Sequence, residues 1–181
     1  MNPVVWIAVV VVVIYLVYAY NRFVSLRNGI ENTFNQIRVA MKKRMDMIGQ
    51  LVETASSYLK FEKDLMEKVT EMRRVKLTDA ASMEKAENLA RTVFGTIVAV
   101  AENYPKVRGI EAIKELQESI KNVETEIARL RYLYNDQVQS FNMMCERFPS
   151  NIVALLFGFR KKEYLKFGGE VEKRPETKVY Q

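Results

Sequence analysis

The sequence contains no histidine and a single cysteine, Cys145. The first absence removes the commonest ligand of zinc, haem and di-iron centres, and the second excludes an internal disulfide framework or a multi-cysteine metal site. No cofactor is therefore expected. Glycine and proline are scarce, seven and four residues among 181, which is the balance of long helices rather than of a loop-rich or disordered chain. A chain of this length has room for one folded domain and a membrane anchor, but not for two cores.

Lysine and arginine outnumber aspartate and glutamate by six, and the distribution of that excess matters more than its size. Residues 21–44 carry a net +5 and residues 160–181 a net +3, which leaves 45–159 at −2. A near-neutral body with basic ends is the pattern of juxtamembrane charge beside anionic lipid, and no nucleic-acid partner is expected.

From residue 4 to residue 20 no side chain is charged. Val4, Ile7, Ile14 and Leu16 lie in this run, with Pro3 and Trp6 at one end and Tyr18 and Tyr20 at the other, where interfacial aromatic belts form. About 18 residues from Pro3, at ~1.5 Å each, reach roughly 27 Å, just short of the ~30 Å hydrocarbon core. Val24 and Leu26 extend the helix while Arg22 snorkels. The alternative is a signal peptide cleaved after Val17-Tyr18-Ala19, but it lacks a basic n-region and its apolar run exceeds the ~7–15 residues of an h-region. The expectation is one retained span with membrane lipid as its partner. Arg22, Arg27 and Arg38 follow the run and no Lys or Arg precedes it, so the positive-inside rule places the N-terminus outside and the rest of the chain on the cytoplasmic side of the inner membrane. Arg22 and Arg27 are the charges placed to meet headgroups.

Beyond the anchor, apolar residues recur at threes and fours: Phe23, Leu26, Ile30, Phe34, Ile37, Met41, Met45, Ile48, Val52, Ala55 and Leu59. This spacing predicts that the anchor runs on into a long amphipathic helix. Gly49 and Ser56-Ser57 are points where it could bend or stop. A second run, Phe61 to Met72, ends near Lys76, and Thr78 or Asp79 offers an N-cap for a third, Met83 to Tyr104, closed by Pro105 and Gly109. The fourth is the clearest, with Ile113, Leu116, Ile120, Val123, Ile127, Leu130 and Tyr134 alternating three and four before Val138, Phe141, Cys145 and Phe148. The fold class is thus all-α: an N-terminal transmembrane helix continuing into an antiparallel up-and-down bundle, with four helices joined by nearly matched turns preferred and three the alternative. With four, the apolar segment after Pro149 arrives back at the bilayer. Its Ile152, Leu155, Leu156, Phe157 and Phe159, followed by Arg160, Lys161 and Lys162, suit either a cap on the bundle core or a membrane interface.

The carboxylates Glu62, Asp64, Glu67 and Glu71 share their helix with Lys60, Lys63 and Lys68, so solvated i,i+4 pairing accounts for them and no catalytic site is expected. Cys145 reads as a buried thiol beside Phe141 and Phe148. Lys42-Lys43-Arg44 lies roughly 36 Å along the helix from Tyr20, several ~8 Å Debye lengths away, and reads as a solvated face or a docking site for an acidic partner. Asn21, Asn28 and Asn35 repeat every seven residues, as do Asn135 and Asn142. Asn28 falls opposite the Leu26/Ile30 seam, so solvent exposure is the plain reading there, and a polar stripe at which another subunit docks near the membrane the sharper one.

The residues also resemble a known family. Tyr20-Asn21, Leu26-Arg27-Asn28, Lys42 to Ile48 including Lys43, Arg44 and Asp46, then Leu51-Val52-Glu53, Tyr58 and Glu62 are similar in order and spacing to the LemA family of bacterial membrane-anchored helical proteins. The likeness continues through Glu102, Asn103, Tyr104 and Pro105, then Glu124, Ile127, Arg131, Tyr134, Asn135, Val138, Asn142, Phe148, Pro149, Ala154, Gly158 and Phe159. Departures occur at Arg38-Val39-Ala40-Met41, Gly49-Gln50 and Phe61, where the family usually has Asp-Val-Gln-Leu, a proline and a histidine. The pattern along the chain puts the anchor at 1–20, the bundle at 21–149, a short apolar and basic segment at 150–162 and a polar tail at 163–181, expected to be disordered after Gly169. The resemblance implies a LemA-like antiparallel bundle on a single N-terminal anchor. It implies no established enzymatic activity, and relatives on magnetosome membranes point to membrane organisation. The reading is a membrane-anchored, non-catalytic scaffold or interaction protein with unidentified protein partners, a second copy among them. An adaptor regulating one membrane protein is the alternative, and an enzyme with an unrecognised site the remote one.

Overall fold

α1 is long because nothing in its sequence stops it: after Pro3 the next proline is Pro105. A computed structural model of the protein describes residues 3–166. Its helices are α1 (Pro3–Ser56), α2 (Lys63–Arg74), α3 (Ala80–Glu102), α4 (Pro105–Arg108), α5 (Glu111–Glu146) and α6 (Ser150–Phe157), and no strand occurs among the described residues. The stops are local chemistry. At the end of α1 the Ser56 hydroxyl donates to the Val52 carbonyl at 2.7 Å, a bond that competes with continuation of the helix. Asp79 caps α3 in a reciprocal box with Ser82, and the Ser82 N–H, with help from Thr78, holds the Asp79 carboxyl below its ordinary pKa. Pro105 occupies the first turn of α4, where a missing N–H costs nothing, and α5 ends just ahead of the cis Phe148–Pro149 peptide.

The chain forms two compact units, each taking part of α1 and part of α5. Among the described residues the first comprises 3–37 together with Arg129–Tyr164. Within it α1 buries a narrow seam, Phe23, Ile30, Thr33 and Ile37, against Leu130, Tyr134, Val138 and Phe141 of α5. So narrow a stripe suits packing on one helix over most of its length, with Phe159 added at Phe23. The helices are antiparallel: Phe34 meets Tyr134 and Phe23 meets Phe141, with ring centroids 6.0 and 5.4 Å apart. Thr33, the polar residue of the seam, donates to Gln137 Oε1 at 3.1 Å.

Among the described residues the second unit comprises Arg38–Ala128 and 165–166. Here the buried face of α1 broadens to Ala40, Met41, Arg44, Met45, Ile48, Gly49, Leu51, Val52 and Ala55. A face two residues wide needs more than one neighbour, and α2, α3 and the first half of α5 supply it: Leu65, Val69 and Met72 from α2, Met83, Ala86, Ala90, Val93 and Ile97 from α3, and Ile113, Ile120, Val123 and Ile127 from α5. Gly49, read from sequence as a place where α1 could bend, lies mid-helix. A Cβ there would come within 2.5 Å of Arg73 Nη2, so the glycine makes room for the Arg73 guanidinium to reach Glu53.

Four helices do pack together, but the four are not matched. α2 has 12 residues and α3 has 23, against 54 and 36 for α1 and α5. Two residues expected on the core are exposed instead. Tyr104 and Phe148 lie past the ends of α3 and α5, where the helical phase that would have turned them inward no longer applies. The tail expected to be disordered after Gly169 falls outside the described residues.

Candidate membrane-proximal site

The apolar run of α1 is long and apolar enough to cross a membrane. From Val4 to Ile14 its side chains are exposed, so the chain provides no protein cover for them. Shielding begins at Tyr15 and Leu16, which are half-buried, and Ala19 is the first residue fully enclosed. At this level α6 is in place. The Tyr20 ring lies 4.8 Å from that of Phe157 and 6.0 Å from that of Phe159, while Phe159 stacks on Phe23 at 4.5 Å and meets Phe141 edge-on at 6.1 Å. Five aromatic rings from three segments thus lock the end of the apolar run to the part of the chain that follows α5.

α6 is positioned from both ends. At its start Ser150 is buried, with Oγ 2.8 and 2.9 Å from the carbonyls of Met144 and Arg147. At its end Gly158 has φ 70°, in the left-handed region that favours glycine, and the Phe159 N–H closes back on the Ala154 carbonyl at 2.9 Å. This turn aims Phe159 into the ring cluster. The following segment is held by a side chain acting as a short stretch of strand: Asn142 Oδ1 accepts the Lys162 N–H at 2.8 Å and its Nδ2 donates to the Lys162 carbonyl at 2.9 Å. Tyr134 adds a long bond of 3.4 Å from its hydroxyl to the Glu163 carbonyl.

Three titratable groups respond to this packing. Burial raises the Tyr134 phenol, and the Glu163 charge adds to it. Burial likewise raises the half-buried Cys145 thiol, opposed in part by Lys161, so the neutral thiol is the favoured form. The Lys161 ammonium is itself raised by its hydrogen bond to Glu146.

Of the residues named from sequence, the structure brings Arg44 to Glu124, and Tyr134 and Asn142 to the segment after α6. Arg44 corrects the sequence reading. It is not on a solvated face with Lys42 and Lys43 but buried, 3% exposed, with Nη1 and Nη2 3.3 and 3.0 Å from the two carboxylate oxygens of Glu87 and Nη1 3.6 Å from Glu124. Arg44 stands seven residues from both Ile37 and Leu51, each fully buried, so its heptad phase was the signal that could have placed it inside. The same phase identifies Glu87, four residues past Met83 and three before Ala90, which was not singled out.

The other named residues are dispersed. Asn21, Arg22, Arg27, Asn28, Asn35 and Lys43 are exposed, and Asp46 pairs with Lys42 on the surface at 2.7 Å. Glu62 precedes α2, Asn103 ends α3 with its Nδ2 3.3 Å from the Ala99 carbonyl, Tyr104 and Pro105 start α4, and Leu26, Arg131 and Asn135 are half-buried. The α2 carboxylates form exposed i,i+4 pairs, Asp64 with Lys68 and Glu67 with Lys63. Among the described residues no three His, Cys, Asp or Glu side chains are grouped so as to hold a metal ion.

Comparison with known proteins agrees with this architecture. The family model described as the LemA family matches residues 33–179. The chain is similar to magnetosome protein MamQ 2 of Paramagnetospirillum magneticum, with 22% identity over 186 residues covering 87% of this chain and 68% of the relative. It is also similar to magnetosome protein MamQ of Magnetospirillum gryphiswaldense, 22% identical with 82% and 65% covered, and to protein LemA of Metamycoplasma hominis, 26% identical with 78% and 67% covered.

Proposed function

The chain belongs to the LemA family, and from that premise we propose that it is a non-catalytic scaffold, anchored by the first part of α1 in the inner membrane, that presents its helical surface to other proteins on the cytoplasmic side. One observation carries the reading. The buried polar side chains at the family-like positions are turned to the chain's own structure: Arg44 to Glu87 and Glu124, Asn142 to the Lys162 backbone, and Tyr134 to the Glu163 carbonyl. Groups committed to internal pairing hold a shape rather than wait for a substrate.

Arg22, Arg27 and Arg38 following the apolar run support the cytoplasmic orientation. Relatives named as magnetosome proteins support a role in organising a membrane. Asn21, Asn28 and Asn35 form an exposed stripe along α1, a surface suited to a second copy or another helical partner.

In-cell photo-cross-linking tests the proposal, with a photoreactive phenylalanine analogue replacing Asn28, Val39 or Tyr132 in the full chain. Discrete adducts are expected, and Asn28→Leu should weaken any self-adduct formed through the stripe. A single foreign protein captured from every position favours an adaptor for one partner. No adduct from any of the three positions contradicts the scaffold reading.

A further inference from the structure

We propose that α6 is a second membrane element, lying in the bilayer interface beside the end of the span with its Ile152, Leu155 and Leu156 face among the acyl chains. The inference rests on the membrane anchoring of α1. An eight-residue helix on a protein surface in water turns its polar residues outward and its apolar ones in. α6 does the reverse. Ser150 is buried with Val153 and Ala154, while Leu155 is 84% exposed and Ile152 and Leu156 stand beside it on the open face with no polar residue between them. Phe148, just ahead of the helix, is 80% exposed as well.

The occupant of that face follows from depth. A span of about 18 residues covers roughly 27 Å of a ~30 Å hydrocarbon core, so Tyr20 sits at the boundary between acyl chains and headgroups. The α6 residue Phe157 touches Tyr20, and Phe159 stacks on Phe23 less than one turn further along. α1 is already partly shielded at Tyr15 and Leu16, within the apolar run itself. α6 is therefore held at the boundary by rigid aromatic contacts, and its open face meets lipid rather than water. The exposed Arg22, Arg147 and Arg160 belong to the same unit, adjoin in sequence the Tyr20/Phe23 rings and the two ends of α6, and suit phosphate groups, as in helices that lie in the interface plane.

The test uses the full chain with Cys145→Ser and Leu155→Cys, labelled with the fluorophore NBD and reconstituted in phosphatidylcholine/phosphatidylglycerol vesicles containing spin-labelled lipid. Ile152→Cys provides a second label site on the same face. Asp136→Cys is the aqueous reference: it is exposed on α5 next to Gln137, which bonds Thr33, about 20 Å along α1 from Tyr20. Trp6, the sole tryptophan, reports independently on the span through quenching by brominated lipid. The expected result is blue-shifted NBD emission at 155 and 152 that loses most of its intensity to the spin-labelled lipid, with the label at 136 unaffected and Trp6 quenched. NBD unshifted at both sites with Trp6 quenched places α6 in water and overturns the inference while leaving the anchor intact. Blue-shifted emission that lipid does not quench shows the face covered by protein, a second copy included, and also overturns it. An unquenched Trp6 removes the anchor reading and this inference with it.

Discussion

Arg44 and Glu87 form a two-pronged ion pair inside the second unit, with bonds of 3.3 and 3.0 Å and neither residue more than 5% exposed. Removing one partner leaves the other buried charge with only a longer contact to a more exposed group, Glu124 at 3.6 Å for Arg44 or Arg91 at 3.6 Å for Glu87, whereas removing both takes the charges out of the core. Arg44→Met or Glu87→Leu alone should each destabilise the fold by about 3–5 kcal/mol. The double variant should lie well above the sum of the singles. Helical circular dichroism during urea unfolding of the detergent-solubilised chain checks this; simple additivity contradicts it.

Asn142 holds the segment after α6 by two bonds to one residue. Asn142→Ala leaves the Lys162 N–H and carbonyl without that partner, at a cost of about 1–3 kcal/mol. Because the loss is local, its first sign should be faster tryptic cleavage after Lys161 and Lys162 rather than unfolding of the whole chain. Unchanged cleavage kinetics would show that the aromatic cluster alone secures the segment.

At Gly158 the obstacle to a side chain is conformational. A Cβ there meets nothing within 4 Å, yet φ is 70°. Gly158→Ala should cost about 1–2 kcal/mol, and Gly158→Asn less, since asparagine visits the left-handed region more readily. A thermal melt of the three proteins gives the order Gly, Asn, Ala if the account holds.

Cys145 should react slowly. Burial favours its neutral thiol, so the midpoint of alkylation rate against pH should lie above the ordinary thiol range, and Lys161→Ala, by deleting the charge that opposes burial, should move it higher still. The sign for stability follows: a raised thiol pKa contributes fully below the unfolded pKa, and its contribution is lost as pH rises through the folded one. Mass spectrometry of iodoacetamide adducts over a pH series measures the midpoint; a value below that of the unfolded chain contradicts the assignment.

Much of the fold was legible because apolar spacing carries it. The seam Phe23, Ile30, Ile37 and the run Ile113 to Val138 announce α1 and α5, and Thr78-Asp79 announces the start of α3, with the structure choosing Asp79 as its cap. Helix ends were less legible, since spacing alone does not say that the phase stops before Tyr104 and Phe148. The ion pair was missed for a different reason: a charged residue beside Lys42 and Lys43 looks solvated until its heptad position is weighed above its charge. The doubling of α1's buried face from Ala40 onward was also present in the sequence, as Met41, Met45, Ile48 and Val52 beside Leu51 and Ala55, and it marks where one packing partner gives way to several.

The most direct test of the account is the side of the membrane on which the folded chain lies. In cells expressing the full chain with Cys145→Ser and Asp136→Cys, a membrane-impermeant maleimide should label the protein only after lysis, and alkaline carbonate should leave it in the membrane fraction at its full uncleaved mass. Labelling in intact spheroplasts, or release of a shortened chain by carbonate, would contradict an uncleaved span holding the protein at the cytoplasmic face.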